Sequence, residues 1–295
     1  MELLTLRKSL EAHNYIFDEE LLITLHIALK LGKPLLIEGA AGVGKTEVAK
    51  VLADISGVEL IRLQCYSGLD ESKALYEWNY QKQLLSIQLG TNQHGEDKSC
   101  SANLNSLFTR EYLLERPLLK SINSESRNVL LIDEVDKTDE EFEAFLLELL
   151  SDFQISIPEL GTITAKSRPV VILTSNNSRQ LSDALRRRCV YLFINYPSID
   201  KEIRIINARL KGVPERLAKE VALAVALLRE NEKIFKKPSI AETLDWVAAL
   251  MAINKTDLDG DGMEKTLGFL LKNREDQQEL WRDEKLNAIF SEKHR

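Results

Sequence analysis

The chain has 295 residues, of which 44% are hydrophobic and 29% are charged, and this ordinary globular composition predicts a sizeable core. Its length suffices for one large α/β domain and a smaller second domain. The formal net charge of −7 disfavours tight, nonspecific binding of nucleic acid, which needs a basic face, so we expect no nucleic-acid partner.

Five short apolar segments are predicted to form one sheet. Residues 1–33 are predicted to be helical and to lead into the first strand. The predicted strands are Leu35–Glu38, Val58–Gln64, Val129–Ile132, Val170–Ser175 and Val190–Ile194. Because helical or loop stretches separate them, we expect an α/β fold with a mostly parallel five-stranded sheet and helices on both faces.

The motif GAAGVGKT follows the first predicted strand and opens a helix. It consists of Gly39, Ala40, Ala41, Gly42, Val43, Gly44, Lys45 and Thr46. The glycines allow successive backbone amides to point at phosphate oxygens, and the helix directs the positive end of its dipole at the same anion. Lys45 can reach the β- and γ-phosphates, and the Thr46 hydroxyl can ligate Mg²⁺. The motif therefore predicts binding of a nucleoside triphosphate with Mg²⁺.

Two segments between the predicted strands have sequence patterns that predict a loop and a helix. Gly90–Asn105 is polar and without periodicity, which predicts a mobile loop. Further on, Thr138 and Glu141 form a capping-box pattern before a helix. Its predicted buried stripe is Phe142, Phe145, Leu146, Leu149 and Leu150.

The strand Val129–Ile132 ends in two acidic residues, Asp133 and Glu134. In a phosphate-loop protein we expect this strand to lie beside the first one. Asp133 would then hold Mg²⁺ directly or through water, and Glu134 would act as general base toward the attacking water. An apolar run before two acids is a weak signal alone, since solvated carboxylates at a strand end fit it too. Together with GAAGVGKT it becomes a strong one.

The strand Val170–Ser175 is followed by Asn176 and Asn177. An amide at Asn176 can orient water against the γ-phosphate, since it offers a donor and an acceptor without net charge. From the residues alone, the alternative that Asn176 only starts a turn is equally good.

Arg186, Arg187 and Arg188 precede the last predicted strand. Adjacent arginines often form a solvated face, but such residues can also complete the active site of a neighbouring subunit. We prefer Arg187 and Arg188 for this catalytic role, with Arg186 a poorer candidate. The hypothesis requires an oligomer.

The strands stop near Tyr196, and a helical segment opens at Pro214. Its predicted apolar face consists of Leu217, Val221, Val225 and Leu228. We therefore predict two domains. Residues 1–198 would form the nucleotide-binding α/β core with its leading helices, and residues 199–295 an α-helical lid.

Cysteine usage and hydropathy favour a cytoplasmic protein. Cys65, Cys100 and Cys189 lack CxxC spacing, which is typical of free thiols in a reducing compartment. The first twenty residues lack the apolar core of a signal peptide, and no apolar run approaches the length of a membrane span.

In this order, the four motifs resemble those of AAA+ ATPases of the P-loop NTPase class. Within that family the chain is most similar to the MoxR branch, and there to the CoxD-type members associated with maturation of aerobic carbon monoxide dehydrogenase. The resemblance covers nearly all of residues 20–200. It is carried by LIRLQCYSGLD (60–70), ALYEWNY (74–80), LLIDEVDKTDEEFEAFLLELLSDFQISIPELGTI (130–163) and LTSNNSRQLSDALRRRC (173–189).

The resemblance implies a chaperone-like ATPase that uses ATP and Mg²⁺ and forms a ring homo-oligomer, usually a hexamer. It implies a partner with a von Willebrand factor A domain and a client metalloenzyme or complex. It also implies two inserted hairpins, near Glu77–Gln83 and at Gln154–Gly161, which would face the ring pore and touch the client. For Trp78 and Tyr80 in the first hairpin, plain core packing is the equal alternative.

One departure from the family concerns the lid. Many relatives carry an Arg there that contacts the γ-phosphate, whereas the matching stretch Lys237–Glu242 has none. Either Lys236 or Lys237 substitutes, or lid coupling is weaker, since Lys lacks the bidentate fork.

The predicted function is thus that of an ATP-hydrolysing machine that remodels or matures a client. Two alternatives stay open, namely a motor or GTPase that acts on nucleic acid and a nucleotide-switched scaffold without catalysis. Base recognition leaves no motif that separates ATP from GTP.

Overall fold

The computed structural model describes residues 2–93 and 107–282. In chain order their helices and strands are α1 (Leu3–Ala12), α2 (Glu19–Leu31), β1 (Leu35–Gly39), α3 (Lys45–Ser56), β2 (Leu60–Gln64), α4 (Glu71–Ala74), β3 (Tyr76–Trp78), α5 (Tyr80–Gln93), β4 (Leu113–Glu115), α6 (Pro117–Asn123), β5 (Val129–Asp133), α7 (Glu140–Asp152), β6 (Gln154–Ile157), β7 (Gly161–Thr164), β8 (Val170–Ser175), α8 (Asp183–Arg188), β9 (Val190–Ile194), α9 (Ile199–Arg209), α10 (Glu215–Glu230), α11 (Ile240–Ala252), α12 (Gly260–Leu270) and α13 (Arg274–Arg282).

The five predicted strands form one sheet in the order β2–β5–β8–β1–β9. β5 lies between β2 and β8 and pairs in parallel with both, so that Gln64 is opposite Asp133. β1 pairs in parallel with β8, and Glu38 is opposite Ser175. The expected fold is confirmed, although β2 begins at Leu60 rather than at Val58. The expectation that the strand ending in Asp133 lies beside the first strand is wrong, because β8 lies between β5 and β1. Because parallel strands end at one edge, the last residues of β1, β2, β5 and β8 come together there.

Every residue of β1 and β5 is buried, as expected for strands covered by helices on both faces. The core around the sheet draws on several helices as well as on the strands. Its members include Leu63, Leu119, Ile132, Leu146 and Leu173. This packing holds in place the ends of the strands, where the polar residues described below lie.

The structure corrects the predicted cap of α7. The N-cap residue is Asp139, whose carboxylate accepts a hydrogen bond from the amide of Phe142 at 2.8 Å. Thr138 instead closes the short 3₁₀ helix Val135–Lys137, because its hydroxyl donates to the Val135 carbonyl at 2.8 Å. The predicted buried stripe is confirmed except for Phe145, which is half-buried.

The first predicted hairpin is wrong in its connection. β3 pairs antiparallel with β4, but α5 begins at Tyr80 and lies between the two strands in sequence. α5 also takes in Gly90, the first residue of the predicted mobile loop, and extends to Gln93. From position 94 onward that predicted loop lies outside the described residues.

The second hairpin is confirmed. β6 and β7 pair antiparallel with Ile155 opposite Ile163, and the turn between them contains Pro158 and Glu159. The side chains of Trp78 and Tyr80 have different surroundings, since Trp78 is 7% exposed and Tyr80 is 60% exposed. Core packing therefore accounts for Trp78 but not for Tyr80.

The chain divides into two units. One contains the residues up to Leu6, Glu19–Glu38 and Thr46–Phe193, and the other contains Arg7–Asp18, Gly39–Lys45 and the chain from Ile194 onward. The boundary at residues 198 and 199 stays a prediction.

The helices α9 to α13 of the second unit have a core of their own, which includes Val225, Trp246, Leu250 and Leu267. α10 follows Pro214 as predicted, and its apolar face is buried. No helix in the described ranges has the length and apolar character needed to cross a membrane.

Candidate functional site

The loop between β1 and α3 has the backbone that its glycines predict. Gly39, Gly42 and Gly44 all have positive φ angles, of 155°, 72° and 93°. A Cβ on Gly39 would lie 2.2 Å from the Ile194 carbonyl oxygen, so the position admits no side chain. The Lys45 ammonium donates to the carbonyls of Gly39 at 2.9 Å and Ala40 at 2.7 Å. The buried Lys45 side chain thus lies over the loop, and its phosphate-binding role stays a prediction.

Thr46 and Asp133 are in direct contact. The Thr46 hydroxyl donates to Asp133 Oδ1 at 3.1 Å, and Thr174 at the end of β8 donates to the same oxygen at 2.5 Å. A carboxylate and a hydroxyl are the hard oxygen donors that Mg²⁺ prefers, and Mg²⁺ commonly takes its remaining ligands from phosphates and water. These residues therefore fit the predicted metal. The described residues contain no group of three or more His, Cys, Asp or Glu that would hold a metal by protein ligands alone.

Glu134 has a left-handed backbone conformation, with a φ of 58°. Its amide donates to the Thr174 hydroxyl at 2.9 Å, which fixes the turn after β5. Its carboxylate accepts from the Asn176 side-chain amide at 3.1 Å and from the Gln64 amide at 3.0 Å. Such backbone strain in a non-glycine residue is common at functional sites. The structure thus brings Glu134 and Asn176 together as expected, and adds Gln64.

Asp136 holds the loop that carries Asn176. Its buried carboxylate accepts from the backbone amides of Asn176 at 3.1 Å and Ser178 at 2.9 Å, and from the Ser178 hydroxyl. Burial acts to raise the pKa of Asp136, but the hydrogen bonds from Ser178 and Asn176 outweigh it and leave the pKa below its ordinary value. Asp136 therefore stays ionised and positions Asn176.

An Asp136→Asn variant should lose about 1–3 kcal/mol of stability. Its NH₂ group would face the N–H and O–H donors that the Asp136 carboxylate accepts from, and it cannot accept from them. Since the pKa of Asp136 is lowered on folding, its contribution is present above about pH 4 and is lost as the pH falls through the folded-state pKa. Denaturant unfolding of both proteins between pH 3 and 7 measures this.

Asp139→Asn is the matched control, since Asn caps a helix about as well as Asp. A stability difference between native chain and Asp136→Asn that stayed constant down to pH 3 would contradict the role of Asp136.

The three arginines of α8 have different surroundings. Arg186 donates to the buried Glu38 of β1 at 2.8 Å, and Tyr191 donates to the same carboxylate oxygen at 2.8 Å. Arg188 is exposed and donates to the Ser151 hydroxyl at 2.6 Å. Arg187 is exposed, and within the described ranges it has no hydrogen bond or ion pair. Arg186 and Arg188 are thus both hydrogen-bonded within this chain, and the preference for Arg187 and Arg188 stays a prediction.

Glu143 supports the start of α8. This buried residue on α7 accepts from the Ser182 amide at 2.9 Å and forms an ion pair with Arg179, which in turn donates to the Thr138 carbonyl. Ser182 is the N-cap of α8. The placement of the arginine helix thus depends on a charge buried in an otherwise apolar stripe.

Two lysines were candidates for the missing lid arginine. Lys236 lies 3.6 Å from Glu242, and Lys237 donates to the Asn231 carbonyl. Near them the amide of Ile240 donates to the Gly42 carbonyl at 3.2 Å. In the second unit the start of α11 therefore contacts the phosphate loop through its backbone. The phosphate-sensing role of the lysines stays a prediction.

Sequence reasoning missed Arg62, Gln64, Asp136 and Glu143. Arg62 and Gln64 alternate with buried residues on β2, as polar residues on any half-exposed strand do. Only the register of β2 against β5 shows that both reach the acidic pair.

Comparison with known proteins agrees with this geometry. A family model described as an AAA domain of the dynein-related subfamily matches residues 34–189, which is more than half of the chain. No curated protein sequence matches the chain.

Several solved structures are similar to this chain. The Thermotoga maritima RuvB Holliday junction branch migration motor is 20% identical, with a TM-score of 0.47 over 88% of this chain and 70% of that chain. A point variant of Thermotoga maritima RuvB is 19% identical, with a TM-score of 0.50 over 89% of this chain and 73% of that chain. At such identities the similarity concerns the fold alone.

Proposed function

We propose, since the chain belongs to the dynein-related subfamily of AAA-domain proteins, that it hydrolyses ATP with Mg²⁺ to remodel or mature a client protein. It is a P-loop protein of the AAA+ type. The observation that carries the proposal is the hydrogen-bonded row at one edge of the sheet, where Thr46 contacts Asp133 and Asn176 contacts Glu134.

The residues of this row and those of the glycine loop before it each have a role that their chemistry fits. Gly39 to Thr46 bind the phosphates through backbone amides, the Lys45 ammonium and the Thr46 hydroxyl. Asp133 and Thr46 would hold Mg²⁺, which supplies positive charge at the transferring phosphoryl group. Glu134 takes a proton from water, and Asn176 orients that water, since its amide already donates to the Glu134 carboxylate.

Arg187 and Arg188 would complete the site of a neighbouring subunit in a ring homo-oligomer, for which a hexamer is the proposed size. Support comes from the exposure of both side chains on α8 and from the absence of any bonded partner of Arg187 in the described ranges. An arginine supplied by a neighbour contributes roughly 10³–10⁵ in rate in related phosphoryl-transfer enzymes.

A subunit-mixing experiment tests the proposal. Oligomers made only of Lys45→Ala subunits should be inactive because they lack the lysine that binds phosphate. Oligomers made only of Arg187→Ala/Arg188→Ala subunits should be inactive because no site receives arginines from a neighbour. An equal mixture should recover about a quarter of the native phosphate-release rate. In random assembly, about one interface in four joins a subunit with an intact Lys45 to a neighbour with intact arginines. A mixture as inactive as its components would contradict action across subunits.

More specifically, we propose that the protein is a MoxR-type, CoxD-like chaperone. It would act with a von Willebrand factor A-domain protein on a client metalloenzyme. The sequence resemblance supports it, with molybdenum hydroxylase or carbon monoxide dehydrogenase cofactor assembly as the specific case. A surface feature also supports a client-binding role, namely a cavity of about 920 Å³ at the β3–β4 and β6–β7 pairs. It is lined by residues that include Tyr66, Tyr76, Trp78, Tyr80, Pro158 and Glu159. A cytoplasmic location is part of this proposal.

The alternative that the protein is a nucleic-acid motor or GTPase has less support. The likeness to RuvB concerns the fold, and the net charge of −7 lacks the basic excess of a nonspecific binder. Duplex or branched DNA that stimulated phosphate release would favour the motor. A purified oligomer that bound ATP without releasing phosphate would favour the nucleotide-switched scaffold.

A further inference from the structure

Arg62 on β2 forms an ion pair with Asp133. Its Nη2 atom lies 2.5 Å from Asp133 Oδ2, and the Arg62 side chain is half-exposed while that of Asp133 is buried. The pairing follows from the register, because Gln64 is opposite Asp133 and Arg62 lies two residues earlier on the same face of β2. A basic side chain therefore reaches the carboxylate that is assigned to the metal.

The two oxygens of Asp133 are occupied differently. Oδ1 accepts from the hydroxyls of Thr46 and Thr174, at 3.1 and 2.5 Å. Oδ2 accepts from Arg62, with only a long contact of 3.4 Å to Thr46. A divalent cation that approaches Asp133, or its bound water, needs lone pairs on this carboxylate. Oδ2 has fewer close donors than Oδ1, but the positively charged guanidinium that lies on it repels an approaching cation.

We propose that Arg62 is a displaceable counter-ion of Asp133, which a divalent cation must replace when the site is loaded. The proposal rests on the proposed function, since it assigns Asp133 to the metal. Arg62 is thus a positioning residue and not a catalytic one.

The same guanidinium connects the metal position to the general base. Arg62 Nη2 also donates to Gln64 Oε1, which leaves the Gln64 amide nitrogen to donate to Glu134 Oε2 at 3.0 Å. Arg62 therefore sets the orientation of the Gln64 amide.

The local charge explains why a counter-ion is needed. Three carboxylates, those of Asp133, Glu134 and Asp136, lie within four successive residues that begin with the last residue of β5, and those of Asp133 and Asp136 are buried. Lys137 lies 3.3 Å from Glu134 and balances that carboxylate. Arg62 does the same for Asp133.

Binding of Mn²⁺ to the nucleotide-free full chain, measured by electron paramagnetic resonance, tests the proposal. Mn²⁺ favours the same oxygen ligands as Mg²⁺. Arg62→Gln should bind Mn²⁺ about three- to fivefold more tightly than the native chain, as expected for loss of one half-exposed ion pair. Relative to Asp133→Asn alone, Arg62→Gln/Asp133→Asn should show no gain in Mn²⁺ affinity. Lys120→Gln is the matched control, since it removes an equally exposed cation that pairs with Glu59.

If Arg62→Gln does not fold by circular dichroism, Arg62→Met supplies the same loss of charge and keeps the aliphatic stem. Mn²⁺ affinity that is unchanged in the folded neutral variant would overturn the counter-ion role. A gain that persists without the Asp133 carboxylate, or that Lys120→Gln reproduces, would overturn it too.

ATP binding is measured on the same samples. If no variant and not even the native chain binds ATP, the proposed function fails, whatever the Mn²⁺ result. If ATP binds normally and only the Mn²⁺ gain is missing, the inference about Arg62 fails alone.

Discussion

Glu134→Gln should bind ATP as tightly as the native chain and hydrolyse it about 10²–10⁴-fold more slowly, because it removes the general base and keeps the shape of the side chain. The neutral amide still accepts a hydrogen bond from Asn176, which donates to Glu134 at 3.1 Å in the native chain. Calorimetry of ATP binding and steady-state phosphate release on the same preparation separate the two effects.

Glu141→Gln is the control for this variant. Glu141 is exposed in the first turn of α7, so the same chemical change there should leave both quantities unaltered. Native turnover in Glu134→Gln would remove Glu134 from its role. A parallel loss of binding and turnover would show instead that Glu134 supports the nucleotide site as a whole.

Lys45→Ala should weaken binding of ATP about 10- to 100-fold, since hydrogen bonds to charged groups contribute about 1.5–3 kcal/mol. The Lys45 ammonium is buried and held by the Gly39 and Ala40 carbonyls at 2.9 and 2.7 Å, close to where the phosphates are expected. Equilibrium titration with a fluorescent ATP analogue measures the change.

Lys50→Ala, on the same helix, serves as its control. Lys50 is exposed and lies 3.6 Å from Glu47, a surface pair that contributes little. If both alanine variants bound ATP like the native chain, the phosphate role of Lys45 would be wrong. If both lost binding equally, damage to α3 would explain the loss.

The sequence was sufficient to predict the elements that depend on local patterns. The five strands of the main sheet, the glycine turn and the helix after Pro214 follow from apolar runs and from residues with known backbone preferences, which act over a few positions. The acidic pair and Asn176 could be placed because parallel strands end at one edge of the sheet.

Contacts between distant segments could not be predicted in the same way. Arg62 and Asp133 are 71 residues apart, and Asp136 reaches Asn176 across 40 residues. These contacts depend on strand register and on side-chain direction, which no local pattern specifies. The first hairpin failed for a similar reason, since β3 pairs with a strand that follows α5 and not with its neighbour in sequence.

The cap of α7 was misplaced by competition between adjacent residues. Thr138 and Asp139 are both good caps, and only the 3₁₀ helix before them engages the Thr138 hydroxyl and leaves the cap to Asp139. The error is one residue, as is usual at helix ends.

Isothermal titration of the purified native chain with ATP and Mg²⁺ shows without intermediate steps whether the chain binds a nucleoside triphosphate. We expect saturable uptake at one site per chain that Lys45→Ala weakens and Lys50→Ala does not. A folded native chain that shows no uptake of ATP or GTP with Mg²⁺ present would contradict this expectation.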